Sequence, residues 1–152
     1  MLLRGTVKKG FQIASGLNPD PSLKLNNTIA LQKPFFEKAA IPHIEKTYNG
    51  TINLDISPRE FTILSPDHKV TCEWIHGVTE TFWLVEVAIV WKNIRYRGYI
   101  YYPCPSPVKS HDDTVVEILA EKIPDLGYGD TLVVQMHPRK IMVKENPRSK
   151  KG

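Results

Sequence analysis

The apolar residues of this chain mostly alternate with polar ones, which is the repeat expected of β-strands that bury one face. This pattern predicts six strands, with one further candidate at residues 141–143. The six lie at residues 2–7, 51–56, 79–91, 94–102, 114–120 and 131–136. Lys92 and Asn93 suit a tight hairpin, and residues 127–130 predict a turn before the sixth strand.

One helix is predicted at residues 34–40, because proline is tolerated in a first turn and good helix formers follow it. Pro42 is expected to end this helix. The turn-rich residues 15–28 are predicted to be a long loop that is either functional or mobile. Short strands, Gly/Pro turns and a single helix favour a mostly β fold, a small closed six-stranded barrel, since closure removes exposed strand edges.

The length of 152 residues fits one domain whose core needs no disulfide or metal. We expect a barrel domain at residues 1–143 and a basic, disordered tail at residues 144–152. The formal net charge is +4. Much of it belongs to that tail, which leaves the body close to neutral.

The composition and the motif content exclude several classes of protein. Cys72 and Cys104 are too few for a disulfide framework or a metal-binding cluster, and they are expected to be reduced thiols of a cytoplasmic protein. No secretory signal or membrane-spanning stretch is visible. The sequence has no GxxxxGK[ST], GxGxxG, HExxH or GxSxG motif. No membrane partner is therefore expected, a nucleic acid partner is disfavoured, and the oligomeric state is left open.

Three local patterns do suggest chemistry. Residues 5–14, GTVKKGFQIA, are a strand that runs into a glycine and a small residue. Residues 48–54, YNGTINL, are an Asn-Gly turn followed by a strand with Thr51 and Asn53 on one face. Residues 111–120, HDDTVVEILA, precede the Gly-Tyr-Gly-Asp turn.

In this order, the three patterns resemble the archaeal CTP-dependent riboflavin kinase family. Its members carry a GxGxG or GxGxA loop, then a GTLN segment, then an H-x-x-x-[IV]-[IV]-E-I-[IL]-A strand with a GD turn. The resemblance covers roughly residues 4–136 and identifies the chain as a divergent member. It implies a cradle-loop barrel that transfers a phosphoryl group from CTP to the 5′-hydroxyl of riboflavin, giving FMN.

The resemblance also implies roles for single residues. Gly10 and Ala14 match the nucleotide-binding loop, and Thr51 and Asn53 match the ligands of the Mg²⁺ that accompanies the nucleotide. Glu117 matches a flavin contact, and it is a candidate catalytic residue that receives the hydroxyl proton. Lys109 lies where the family has a flavin-contacting threonine.

Departures from the family pattern lie mainly on the nucleotide side. Gln12 replaces the middle glycine of the loop, and residues 15–28 look like an insertion. Residues 121–126, EKIPDL, stand where the family has a short helix with nucleotide contacts, and Pro124 would interrupt a helix. We therefore expect the flavin and magnesium side to be retained better than the donor side.

Two alternatives remain open. The first is a non-catalytic ligand-binding or protein-interaction barrel that lost the nucleotide loop. The second is a nucleic-acid-binding barrel, which would need basic residues along one barrel face. Each candidate residue also has an ordinary explanation: Thr51 and Asn53 as solvent-facing strand residues, Glu117 as the partner of a lysine, and the strand aromatics as core pairs.

Overall fold

The computed structural model describes residues 1–9, 28–103 and 113–145. These residues form nine strands, one α-helix and a short 3₁₀ helix at Ile44–Lys46. The elements are β1 (Leu2–Lys8), α1 (Thr28–Lys38), β2 (Ile52–Asp55), β3 (Arg59–Ile63), β4 (His68–Ile75), β5 (Val78–Trp91), β6 (Ile94–Pro103), β7 (Val115–Ala120), β8 (Thr131–Gln135) and β9 (Ile141–Glu145). The prediction of a mostly β fold is confirmed.

Six strands form a closed ring of antiparallel pairs in the order β5, β6, β7, β2, β1 and β8. The ring closes because the 14-residue strand β5 offers one edge to two partners. Its first half pairs with β4 up to Leu84, and its second half pairs with β8 from Ala88 onward. The strand β4 therefore extends the sheet outside the ring.

The interior of the ring is filled by the alternate, inward-facing side chains of its strands. The most deeply buried members are Leu3, Leu54, Ile56, Val85, Ile89, Ile100, Val116, Ile118, Leu132 and Val134. The two-stranded ribbon of β3 and β9 adds Phe61 and Ile141 to this cluster. The ring is thus a packed core and not an open channel.

A second core lies on the outside of the sheet, beneath α1. Phe36 of the helix meets the ring of Phe82 edge to face, with centroids 5.4 Å apart, and Phe82 stacks on Tyr101 at 5.5 Å. Ile29 and Leu84 are fully buried in the same cluster. The helix therefore covers one outer face of the sheet, formed by β4, β6 and the first half of β5.

The helix differs from its predicted position. It begins at Thr28 and ends at Lys38, so that Pro34 lies inside it and not in its first turn. Pro34 is exposed, whereas Ile29 and Phe36 on the opposite face are buried. Burial of this apolar face outweighs the backbone hydrogen bond that proline cannot donate.

The six predicted strands correspond to β1, β2, β5, β6, β7 and β8, each within one residue at either end. The hairpin at Lys92 and Asn93 is confirmed, with left-handed φ values of 50° and 63°. The strands β3 and β4 were not predicted. The strand β9 extends to Glu145, so two residues assigned to the tail are part of the domain. Residues 146–152 lie outside the described chain.

One carboxyl group is buried at the edge of the second core. Glu80 is 7% exposed and its Oε1 accepts a hydrogen bond of 3.2 Å from the indole of Trp74. Burial raises the pKa of Glu80, and the hydrogen bond from Trp74 offsets only part of this effect. The folded protein therefore favours the neutral carboxyl, and ionisation of Glu80 destabilises the fold as the pH rises above its unfolded-state pKa.

We expect Glu80→Gln to raise the melting temperature at pH 7, because glutamine keeps an acceptor for Trp74 and carries no charge. The gain in melting temperature should disappear at about pH 4, where the carboxyl group is largely protonated in both the folded and the unfolded state. Melting curves by circular dichroism between these pH values measure it. Glu37→Gln, which removes an exposed charge from α1, is the control. An equal gain at both pH values would contradict the assignment.

Candidate functional site

The strands β2 and β7 bring three of the residues singled out in the sequence to one place. Asn53 and Glu117 are direct partners in the antiparallel register of these strands. Their neighbours Leu54, Val116 and Ile118 face the interior of the ring, so Asn53 and Glu117 face outward. Thr51, which precedes β2, lies on the same side.

The hydroxyl group of Thr51 lies between the other two side chains. Its Oγ1 is 3.3 Å from Oδ1 of Asn53 and 3.3 Å from Oε1 of Glu117, and either oxygen accepts its hydrogen. All three residues are half-buried. The result is a cluster of three partly exposed, oxygen-bearing side chains on the outer side of β2 and β7.

Charged groups flank this cluster on β1 and β2. Lys8 is the partner of Asn53 in the register of β1 with β2, and Asp55 lies two residues further along the same face. Burial acts to raise the pKa of Asp55, but the hydroxyl and backbone N–H of Ser57 and the charge of Lys8 together lower it. Asp55 is therefore ionised at neutral pH, and the site combines carboxylates with one nearby cation.

A buried tyrosine connects the site to the helix. Tyr101 of β6 donates a hydrogen bond of 2.7 Å to Oε1 of Gln32 in α1, and both side chains are buried. Burial first, and then the negative charge of Glu117, raise the pKa of Tyr101 well above its ordinary value. The phenol stays neutral with its proton directed at Gln32, so this pair holds α1 against the sheet beside Glu117.

Asn49, two residues before Thr51, has an unusual environment. Its Oδ1 is buried and has no hydrogen-bond partner among the residues that the structure describes. Gly50, between the two, is buried as well. The sequence marks Asn49 and Gly50 as a turn, and nothing in the pattern of residues indicates that the side-chain oxygen of Asn49 is buried.

The remaining predicted site residues cannot be placed. Gly10, Ala14 and Lys109 lie outside the described residues, as does Gln12. No group of three His, Cys, Asp or Glu side chains with metal-binding geometry occurs within residues 1–9, 28–103 and 113–145. The oxygens of Thr51, Asn53 and Glu117 nonetheless match the donor type that Mg²⁺ prefers.

Residues 121–126, where the family has a short helix, are not helical. Ile123 is buried in the interior cluster of the ring, and Leu126 packs against it. The indole of Trp91 donates a hydrogen bond of 3.2 Å to the carbonyl of Pro124. This segment therefore packs on the ring core and adds no helix to the site.

Lys8, Gln32 and Tyr101 were not identified as parts of the site from the sequence. Alternation along β1 and β6 could have assigned Lys8 and Tyr101 to outward faces. Their proximity to Asn53 and Glu117 depends on pairings between distant strands, for which one sequence has no local signal.

Comparison with known proteins assigns no family. No family model matches the sequence, and no curated protein matches it. Within the described part of the chain, no helix combines the length and the apolar character needed to cross a bilayer.

Proposed function

We propose that this protein is a flavin-binding phosphotransferase of the riboflavin kinase type, which uses CTP to convert riboflavin to FMN. The main support is the meeting of the neighbouring residues Thr51 and Asn53 with Glu117, which is 66 residues from Thr51 in the sequence: Oγ1 of Thr51 lies 3.3 Å from an oxygen of each of the other two side chains. Phosphoryl transfer depends on positioning and charge neutralisation, so its ligands must converge in this way. On this proposal the ring of six strands is a cradle-loop barrel.

Thr51 and Asn53 are the residues that would hold Mg²⁺ together with the phosphates of the nucleotide. Both offer neutral oxygens, which suffices because the phosphates supply negative charge and Mg²⁺ keeps several of its waters. When bound, the metal would neutralise charge on the transferred phosphoryl group. Both side chains are half-buried on an outer face, so each is partly open to solvent.

Glu117 would contact the flavin and accept the proton of its 5′-hydroxyl group. Its carboxylate lies beside the hydroxyl of Thr51, so the metal-binding and acceptor ends of the site would be adjacent. The Tyr101–Gln32 pair would fix the wall of the site next to Glu117, since both side chains are buried and hydrogen-bonded.

The donor side supports a second version of the proposal, in which the protein binds flavin without turnover. Residues 121–126 pack on the ring core through Ile123 and Leu126 and add no helix for nucleotide contacts. Gln12 also replaces a glycine whose lack of a side chain helps backbone amides to approach phosphates. Both features weaken nucleotide binding and leave the Thr51–Asn53–Glu117 cluster intact.

We therefore expect riboflavin to bind about tenfold or more tightly than CTP with Mg²⁺, a difference of about 1.4 kcal/mol or more. Quenching of flavin fluorescence gives the first dissociation constant, and calorimetry with CTP and Mg²⁺ gives the second. Glu117→Gln should weaken riboflavin binding, whereas Glu121→Gln, an exposed carboxylate outside the cluster, should not.

Two results would count against this ordering. Tight binding of CTP without binding of riboflavin would reverse the expected order of the two affinities. Failure of both ligands to bind would remove the proposed function altogether.

A further inference from the structure

The second half of β5 and its neighbours present an outer face that differs from the one under α1. We call it the arginine face. Across β1, β8, β5 and β6, one row of direct partners is Arg4, Val133, Val90 and Arg95. The next row is Leu2, Gln135, Ala88 and Arg97. The face is thus eight residues arranged two deep across four strands.

Three of the four central residues of the arginine face are apolar. Ala88, Val90 and Val133 are half-buried and belong to neither core; the fourth, Gln135, is half-buried as well, and Leu2 at the edge of the face is 64% exposed. On the face covered by α1, the comparable outward residues, such as Leu84 and Tyr99, are buried. Val90 and Val133 therefore face outward as Leu84 and Tyr99 do, but no helix in the described part of the chain covers them.

The rim of this face is basic. Arg4 and Arg95 are exposed at opposite ends of the first row. Among the described residues, none of the salt bridges involves either side chain. Arg97 is paired with Glu86, Nε to Oε1 at 3.5 Å, and both side chains are about half exposed. An exposed pair of this kind stabilises the fold little, so Arg97 can exchange its partner at low cost.

We infer that the arginine face binds an acidic segment of a partner protein. Apolar side chains of such a segment would lie on Val90 and Val133, and its carboxylates would reach the arginines at the rim. An apolar centre with an arginine-rich border is the usual anatomy of a protein interface. Arginine suits this role because its planar guanidinium binds a carboxylate through two parallel hydrogen bonds.

The dimensions of the face indicate a short ligand. Three strand spacings separate Arg4 from Arg95, which is about 14 Å, and the two rows are about 7 Å apart. This area is well below the roughly 800 Å² per partner of a stable complex. The partner segment is therefore a short one that binds reversibly, with salt-dependent affinity.

Two other occupants fit the face less well. Single-stranded nucleic acid binds on aromatic platforms, whereas the centre here is aliphatic and Trp91 and Tyr96 pack against the interior cluster. A second copy of the chain would bring two arginine faces together, and like charges would repel. An acidic protein segment meets both the aliphatic centre and the basic rim.

Fluorescence anisotropy with a labelled acidic peptide, in which leucines are spaced between glutamates, tests the inference. The same peptide with every glutamate replaced by lysine is the control ligand. We expect the acidic peptide alone to bind, and more weakly as salt increases. Arg4→Glu with Arg95→Glu should weaken binding at least about tenfold, because both rim charges are reversed.

A matched pair of substitutions separates the face from overall charge. Lys38→Glu with Lys122→Glu changes the net charge equally at exposed positions elsewhere, and binding should stay within about twofold. Val90→Thr with Val133→Thr should weaken binding while the arginines stay in place. Circular dichroism melts show whether each variant is folded.

The inference is overturned if the acidic peptide does not bind the wild-type protein, or if the control pair weakens binding as much as the arginine pair. It is also overturned if an oligo(dT) strand or anionic lipid vesicles bind the same arginines more tightly than the peptide. Sedimentation could instead show a dimer of the wild-type protein that is absent in the Arg4→Glu, Arg95→Glu variant. That result would assign the face to contact with a second copy of the chain.

Discussion

Replacing Gly5 by alanine is expected to destabilise this protein more than most single substitutions. Gly5 lies in β1 between the inward-facing Leu3 and Val7. A Cβ atom at this position would lie 2.7 Å from the carbonyl oxygen of Asp55 and 2.7 Å from Cγ of Leu54. The carbonyl belongs to the backbone of the paired strand, so it can move only if β1 and β2 separate.

The cost should reach about 3 kcal/mol or more, the upper end for overpacked cores, because the buried Leu54 cannot move aside either. Urea unfolding followed by fluorescence measures it as a lower midpoint, or as failure to fold. The matched control is Gly98→Ala, whose Cβ would meet Cδ1 of Ile89 at 3.0 Å, Cγ2 of Ile118 at 3.1 Å and the carbonyl oxygen of Leu119 at 3.1 Å. These contacts are looser, and we expect a cost of about 1 kcal/mol. A Gly5→Ala protein with the wild-type midpoint would show that β1 and β2 are not this close.

The double substitution Thr51→Ala with Asn53→Ala should abolish CTP-dependent formation of FMN. This expectation rests on the proposed function, in which these two side chains hold Mg²⁺. We expect the rate to fall about 100-fold or more, a loss comparable to that caused by removing one electrostatic stabiliser of a transition state. Stability should change by about 1 kcal/mol or less, since neither residue belongs to a core cluster.

Turnover is measured as FMN separated from riboflavin after incubation with CTP and Mg²⁺, and folding is measured by thermal melts. Thr6→Ala with Thr131→Ala removes two exposed hydroxyl groups from neighbouring ring strands and is the control. Undiminished turnover in the Thr51, Asn53 variant would contradict the assignment of the metal ligands. If the wild-type protein binds riboflavin but forms no FMN, kinase activity is excluded. The proposal that the protein binds flavin without turnover would then stand.

The β5–β6 hairpin was predicted because its turn depends on two neighbouring residues. The long strands β5 and β6 are joined by two residues, and the left-handed preference of asparagine makes such a turn readable from sequence. The strand β4 was readable too, because Val70, Cys72 and Trp74 alternate with polar residues, yet it was not predicted. The start of α1 differs from the prediction because Pro34 lies inside the helix and not in its first turn.

The closure of the ring was predicted only from the general cost of exposed edges. The division of one edge of β5 between β4 and β8 depends on contacts across the whole chain, and no short pattern encodes it.

In the candidate site, too, some features follow from local patterns and others depend on pairing between distant strands. Alternation alone assigns Thr51 and Asn53 to one face of a strand. Their meeting with Glu117 requires the register of β2 with β7, and a slip of one residue would turn Glu117 away from them. Proximity of Lys8 and Tyr101 requires two further pairings, so these residues could be found only in three dimensions.

The strand β5 also determines how the protein can come apart. Phe82 and Leu84 pack beneath α1, while Val85, Val87 and Ile89 pack inside the ring, so consecutive residues of one backbone serve both cores. If α1 detached from the sheet, β5 would lose the packing contacts of Phe82 and Leu84, and the same strand closes the ring. We therefore expect the two layers to unfold as a single cooperative unit, with one unfolding transition for the helix side and the ring side of β5.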